Sequence, residues 1–185
     1  MNVGFEWVLT APGLDTLKPD WQRLDVGGPG AIFRSWEWQA TWWRVLGEER
    51  RRSLRVLVVR EDGRVAAILP LYVEDASAGA RRLRLLADGV VGSDYLGLVA
   101  PPHDAARLAK LIAARLVEDP LLGDVDLIQL NDLAEDDPLA SALLETEGLG
   151  EPTSGMRYVC PHARWDEGAA AYLASRWCRR SRAAG

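Results

Sequence analysis

Apolar positions along this chain recur in two different periods, and the alternation between them predicts an α/β order of elements. Residues 14–24 (LDTLKPDWQRL) put Leu14, Leu17, Trp21 and Leu24 at helical spacing, with Pro19 either in a first turn or dividing the segment. Gly27, Gly28, Pro29 and Gly30 read as a turn. Residues 35–46 (SWEWQATWWRVL) predict a second helix, with Ser35 as N-cap, Glu37 in the first turn and Gly47 just past the end. Two strand-like runs, 54–60 (LRVLVVR) and 64–73 (RVAAILPLYV), flank Glu61-Asp62-Gly63, whose hairpin chemistry predicts an antiparallel pair. Shorter strands are expected at 81–87 and 95–99 around the turn-rich residues 88–94, and Pro101-Pro102 ends that stretch. The pattern then predicts a helix over 105–118, a buried strand at 126–130, a helix over 138–147 and a last strand at 156–160.

With 185 residues, 48% apolar and 26% charged, the chain is long enough for one globular core. Its longest apolar run, 65–73, contains Pro70 and is far short of the roughly twenty residues a bilayer-crossing helix needs, so no membrane span is expected. Glu6 and Asp15 stand where a secretory signal would need a basic and then an apolar region, which points to a cytoplasmic location. Cys160 and Cys178, with His103 and His162, give neither a disulfide framework nor metal-ligand spacing, and no metal is expected. Four arginines fall in 176–185 (RWCRRSRAAG); removing them from 22 basic residues leaves 18 against 27 acidic ones, −9 for the body. So acidic a body repels nucleic-acid phosphates. The same contrast predicts a domain over 1–175 followed by a basic, disordered tail at 176–185, of the kind a GC-rich gene read in a shifted frame produces.

Phosphate-cradling motifs are missing. Gly89, Gly92 and Gly97 in DGVVGSDYLG do not make G-x-G-x-x-G, and no G-x-x-x-x-G-K-[ST] or G-x-S-x-G occurs. Two constellations remain. On the tryptophan helix, Trp36, Ala40 and Trp43 form one stripe and Trp38, Trp42 and Val45 an adjacent one. Either these rings pack the helix onto the sheet, or a ring such as Trp36 or Trp38 lines a substrate groove or interface. In the turn 92–97, Asp94 beside Tyr95 is suited to accept a proton or bind an amine; alternatively Ser93 or Asp94 caps the turn and Tyr95 packs on the sheet. Asn131-Asp132 either faces a cleft or terminates its strand. His103 reads as a loop or helix-start residue and Arg50-Arg51-Arg52 as a solvated turn. Candidate substrate-binding residues are therefore Trp36, Trp38, Ser93, Asp94, Tyr95 and Asn131, with no catalytic residue identified.

Taken in order, FRSWEWQATWWRVLG, LRVLVVREDGRVAAILPLYV, GSDYLGLV and DLIQLNDLAEDDPLA resemble the N-terminal half of bacterial GNAT-family N-acetyltransferases of the CelD/BioF2-like group, relatives of the FemAB aminoacyltransferases. The resemblance covers roughly residues 30–175. It implies an α/β fold, a GNAT-like central mixed sheet flanked by helices in a single domain. It also implies transfer from acetyl-CoA or another acyl-CoA, or from aminoacyl-tRNA in FemAB relatives, to the amine of a small molecule or glycan, often in exopolysaccharide or cell-envelope assembly. A C-terminal GNAT domain is the implied docking partner. The GNAT pyrophosphate loop, Q/R-x-x-G-x-G/A, is not found, so the expectation is a first, incompletely catalytic domain. The alternative is a protein-interaction module that uses the helix over 35–46.

Overall fold

The structure, a computed structural model, describes residues 2–28, 30–48, 52–76, 79–89, 91–151 and 153–155. Five strands form one mixed sheet in sequence order: β1 Val3–Val8, β2 Arg52–Glu61, β3 Arg64–Asp75, β4 Arg81–Leu85 and β5 Leu127–Gln129. The first three pairings are antiparallel and β4–β5 is parallel. Between β1 and β2 run α1 Ala11–Thr16, α2 Lys18–Leu24, α3 Ala31–Arg34 and α4 Trp36–Trp42, the last continuing as a π-turn over Trp43–Gly47. The crossover helix α5 Ala105–Glu118 joins β4 to β5, and α6 Pro138–Glu145 follows. The strand expected at 156–160, the end of the 1–175 domain and the 176–185 tail lie outside the described residues.

Asp62 (φ 47°) and Gly63 (φ 83°) are both left-handed, the conformation a two-residue type I′ hairpin requires. That turn sets the first pairs, Glu61 opposite Arg64 and Arg60 opposite Val65; a bulge between Val59 and Arg60 then shifts the β2–β3 register by one residue, and register decides which side chains share a face. On one face Trp7 is opposite Leu57, and its Nε1 donates to Asp119 at 2.7 Å beyond the end of α5. On the other face Leu54, Tyr72 and Arg84 form a row, and the Trp42 ring of α4 lies 5.3 Å from that of Tyr72. Helices thus cover both faces, and residues 56–59 and 67–73 are buried without interruption. Strands covered on both sides read as continuous apolar runs rather than alternating ones. Buried indoles also tie helix to helix: Trp21 donates to the Arg34 carbonyl at 2.8 Å and Trp36 to that of Leu14 at 3.0 Å.

Several expectations are corrected. β1 was not among the predicted strands, although Val3, Phe5 and Trp7 alternate. Pro19 does both things asked of it: the helix breaks at Leu17 and the proline occupies the first turn of α2. Gly47 lies inside the π-turn, where a β-carbon would come within 2.1 Å of Trp43, rather than past the helix end. The strand expected at 95–99 makes two isolated bridges and no ladder. The strand expected to be buried at 126–130 is shorter, and Leu127 is 49% exposed. Arg52 opens β2 with its side chain 17% exposed and paired to Glu74, not in a solvated turn; Arg50 and Arg51 lie outside the described residues.

Candidate functional site

The parallel strands β4 and β5 part company just beyond their last pair, Arg84 opposite Gln129. The cause is on the neighbouring strand. Leu86 donates to the Pro70 carbonyl at 2.9 Å, but proline has no N–H to return the bond, so the antiparallel ladder ends there. The chain re-enters beside β3 only at Val99, which exchanges two 2.9 Å bonds with Ile68. Ile68 and Pro70 are two positions apart on β3, so residues 87–89 and 91–98 belong to an excursion out of the sheet. Contact with the β5 side resumes where Leu96 donates to the Asp132 carbonyl at 2.9 Å.

Backbone strain gathers at this parting. Among the described residues four non-glycines have positive φ; one is the hairpin Asp62, and the other three are Ala87 (67°), Tyr95 (54°) and Asp132 (63°). Each costs on the order of 1–2 kcal/mol and persists only where its surroundings over-determine it.

Two sets of contacts hold the excursion. At its start Asp88, 2% exposed, accepts from the Tyr72 hydroxyl and from Arg84 Nε, both at 2.9 Å. Arg84 Nη1 also donates to Glu74 at 2.7 Å, and Arg52 Nη2 reaches the other Glu74 oxygen at 3.2 Å. Burial pushes the Asp88 carboxyl up despite the pull of Arg84 and Tyr72. The Tyr72 hydroxyl is driven far above the usual phenol range, first by burial and then by the adjacent Asp88 charge. Glu74 is partly buried, which alone would raise it, but Arg84 and Arg52 hold it below the usual carboxylate range. Towards its end, Trp38 Nε1 donates to Ser93 Oγ at 3.0 Å while Phe33 meets the Trp38 ring edge-on at 5.3 Å. Arg34 Nη1 donates to the Tyr95 carbonyl at 3.0 Å. Gly30 approaches so closely that a β-carbon there would lie 2.3 Å from that of Tyr95.

Beyond the excursion opens a cleft of about 150 Å³ lined by Arg34, Leu98, Ala100, Pro102, Ala105 and Asp137, among others. Asp137 caps α6 by accepting from the Leu139 amide at 2.8 Å. Burial raises its carboxyl against the pull of that bond. Gly97 (φ 135°) lets the chain pass: a β-carbon there would stand 2.8 Å from Asp137 Oδ2.

Five of the six expected site residues meet at the parting. Ser93 is buried, Asp94 and Tyr95 are half-buried on the excursion, Asn131 lies between Gln129 and Asp132, and Trp38 holds Ser93. Trp36 is elsewhere, packed onto α1 with Lys18 4.4 Å and Arg44 5.4 Å from its ring. Trp36, Trp42 and Trp43 are buried, and Val45 of the same segment is 68% exposed. Sequence reasoning missed Arg34, Tyr72, Asp88 and Asp137. Pro70 was the available signal, a proline in the middle of a strand. His103 lies at the helix start, its side chain 79% exposed and 3.4 Å from Asp104. Among the described residues no group of three or more His, Cys, Asp or Glu is arranged to hold a metal, and no helix is long and apolar enough to cross a membrane.

No family model and no curated protein matches the sequence. Solved structures do. An aminoglycoside acetyltransferase from an uncultured soil metagenomic sample superposes with a TM-score of 0.50 at 17% identity, over 88% of this chain and 100% of its own. A ribosomal-protein-alanine N-acetyltransferase from Brucella melitensis biovar Abortus 2308 gives a TM-score of 0.49 at 12% identity, over 88% and 100%. The mixed five-stranded sheet with helices on both faces, matched over the whole length of the first of these, is the GNAT acetyltransferase fold.

Proposed function

We propose that this chain serves acyl transfer to an amine as a GNAT-fold domain of the CelD/BioF2-like kind, and that its own contribution is the acceptor side of the site. The observation that supports this is the clustering of Ala87, Tyr95 and Asp132, three left-handed non-glycine residues, around the parting of β4 and β5. Backbone strain held in place by a buried network is a mark of a preorganised site.

The donor side reads differently. A pyrophosphate needs a turn of free backbone amides ahead of a helix N-terminus. Here the segment entering α5 is APPHDA (100–105): Pro101 and Pro102 have no N–H, and the Asp104 amide donates to the Pro101 carbonyl at 3.0 Å. Asp104 at the N-cap places a carboxylate where the phosphates would lie and engages Arg107 of the first turn at 3.3 Å. These residues do not fit the pyrophosphate of an acyl-CoA. In this reading acetyl-CoA or another acyl-CoA is held by a second GNAT domain docked against this one. The acceptor is a small-molecule or glycan amine of envelope or exopolysaccharide assembly.

What the chain's own groups do is bind and orient that amine. Asp94 pairs with the ammonium and takes up its proton, Ser93 and Tyr95 shape the approach, and the Trp38 and Arg34 bonds keep the excursion in place. Calorimetry tests both halves. Acetyl-CoA should give no binding in the micromolar range, and such binding would overturn the division of labour. Glucosamine, as an amine probe, should bind in a way that Asp94→Asn weakens at least about tenfold with an unchanged melting temperature. Equal loss of stability and binding would return Asp94 to capping its turn.

A further inference from the structure

We infer that the groove between α2 and the β2–β3 hairpin is a second binding site, built for a ligand carrying two or more oxyanion groups. It has a volume of about 420 Å³ and is lined by Asp20, Arg23, Arg60, Gly63, Arg64 and Val65, none of which lines the cleft beside the excursion. Three guanidinium groups converge on it. Arg23 is anchored through one nitrogen: Nη2 donates to Asp20 and to the Val65 carbonyl, both at 2.7 Å, which leaves Nε and Nη1. Arg60 is anchored through Nε to Glu6 at 2.8 Å, which leaves both terminal nitrogens. Arg64 is exposed; its backbone pairs with Glu61, while its guanidinium has no side-chain hydrogen bond or ion pair among the described residues. A β-carbon on Gly63 would meet nothing within 4 Å, so the hairpin leaves the groove open.

The charge balance names the ligand class. Three arginines stand against Asp20 in the groove and Glu6 behind Arg60, leaving one net positive charge on a chain of net charge −5. A single monovalent anion gains little from that. A ligand presenting several oxyanions gains more, because each remaining donor pair can meet one group in the forked geometry that guanidinium shares with phosphate and carboxylate. At about 420 Å³ the groove is open enough to take a ligand of several groups, such as a triphosphate or the acidic end of a uronate disaccharide. Phosphate and carboxylate are two sources of the same chemistry, and the site stands independently of the acyl-transfer reading.

Titration calorimetry of the chain with sodium tripolyphosphate and with digalacturonate separates the sources. At about 20 mM salt at least one probe should bind with a submillimolar dissociation constant that weakens markedly at about 200 mM, as exposed charges are screened. Arg64→Ala and Arg60→Ala should each weaken it at least about tenfold, while Arg82→Gln on β4 leaves it within about twofold. The tighter probe names the source. Arg64 is exposed and unanchored, so Arg64→Ala tests the site even where Arg60→Ala disturbs β1, and circular dichroism verifies each fold. Absence of binding by both probes up to about 10 mM, or equal weakening by Arg82→Gln, overturns the inference.

Discussion

Gly47 and Trp43 form a pair whose coupling can be worked out from the structure. Gly47 lies in the π-turn and its φ is outside the left-handed region, so alanine suits its backbone. Its space does not: a β-carbon would lie 2.1 Å from Trp43 Cε3 and 2.7 Å from Cδ2, inside a rigid ring that is 6% exposed. Overpacking of this kind costs about 1–3 kcal/mol, and the upper end applies because the ring has no free side to move into. Trp43→Ala alone removes about 200 Å² of buried aromatic surface, which at about 25 cal/mol/Å² is about 5 kcal/mol and agrees with the usual 3–5 for such truncations. In the Trp43→Ala background the clash is gone. Gly47→Ala should then stabilise by about 0.5–1 kcal/mol, the ordinary gain of alanine over glycine in a helix. The two changes therefore couple by about 2–4 kcal/mol, and the sign of the Gly47→Ala effect reverses between backgrounds. Urea denaturation of the four proteins, followed by circular dichroism at 222 nm because a tryptophan is removed, measures the cycle. Additivity within about 0.5 kcal/mol would refute the packing argument.

The network behind the excursion yields further expectations. Tyr72→Phe removes the hydroxyl that donates to Asp88 and leaves a buried carboxylate oxygen short of a donor, so stability should fall by about 1–3 kcal/mol in urea; a loss under about 0.5 would mean that the bond contributes nothing. The Asp88 carboxyl titrates above its ordinary unfolded value near 3.9, so between the two values the folded chain binds more protons and stability falls as pH rises. Asn does not titrate. The stability of wild type minus that of Asp88→Asn should therefore fall from about pH 4 upward, and a rise of that signed difference with pH refutes the assigned direction. The opposite dependence of Glu74, whose contribution is lost towards acid, is present in both proteins and to first order cancels. Trp38→Phe keeps an aromatic edge for Phe33 but loses the bond to Ser93, so global stability should change by about 1 kcal/mol while proteolytic cleavage within 87–98 accelerates; unchanged cleavage would show that the bond does not hold the excursion.

Where an element is determined by its own residues, the sequence reveals it. The hairpin is legible because Asp62-Gly63 selects a left-handed two-residue turn between apolar runs, and α5 because its buried Leu108, Ile112 and Leu116 recur at helical spacing. Ser35 is legible as an N-cap, and its side chain does accept from the Trp38 amide. Legibility fails where a partner decides. β1 is six residues with a glycine and a glutamate in it, and it is a strand because β2 supplies a ladder from Val3–Glu61 to Val8–Val56. The run over 95–99 has strand composition, but Pro70 has already broken the ladder it would have joined, so two bridges are all that form.

The site follows the same division. Ser93, Asp94 and Tyr95 stand out locally because a polar, glycine-bounded turn interrupts apolar sequence, and they do lie at the parting of the strands. Asp88 does not stand out: within Ala87-Asp88-Gly89 a carboxylate reads as turn chemistry, and nothing nearby in sequence says that it is buried. Its burial is a consequence of register. The hairpin turn together with the bulge between Val59 and Arg60 sets Leu54 opposite Tyr72, the β3–β4 ladder sets Tyr72 opposite Arg84, and Arg84 is four residues before Asp88, so hydroxyl, guanidinium and carboxylate converge only once both ladders have formed. The same ladders bring Pro70 opposite Leu86 and so open the sheet beside the network they have just assembled. The opening and the charge that braces it thus share one cause. A register slip of one residue in β3 would move Tyr72 to the α5 face and Pro70 away from Leu86, removing both together.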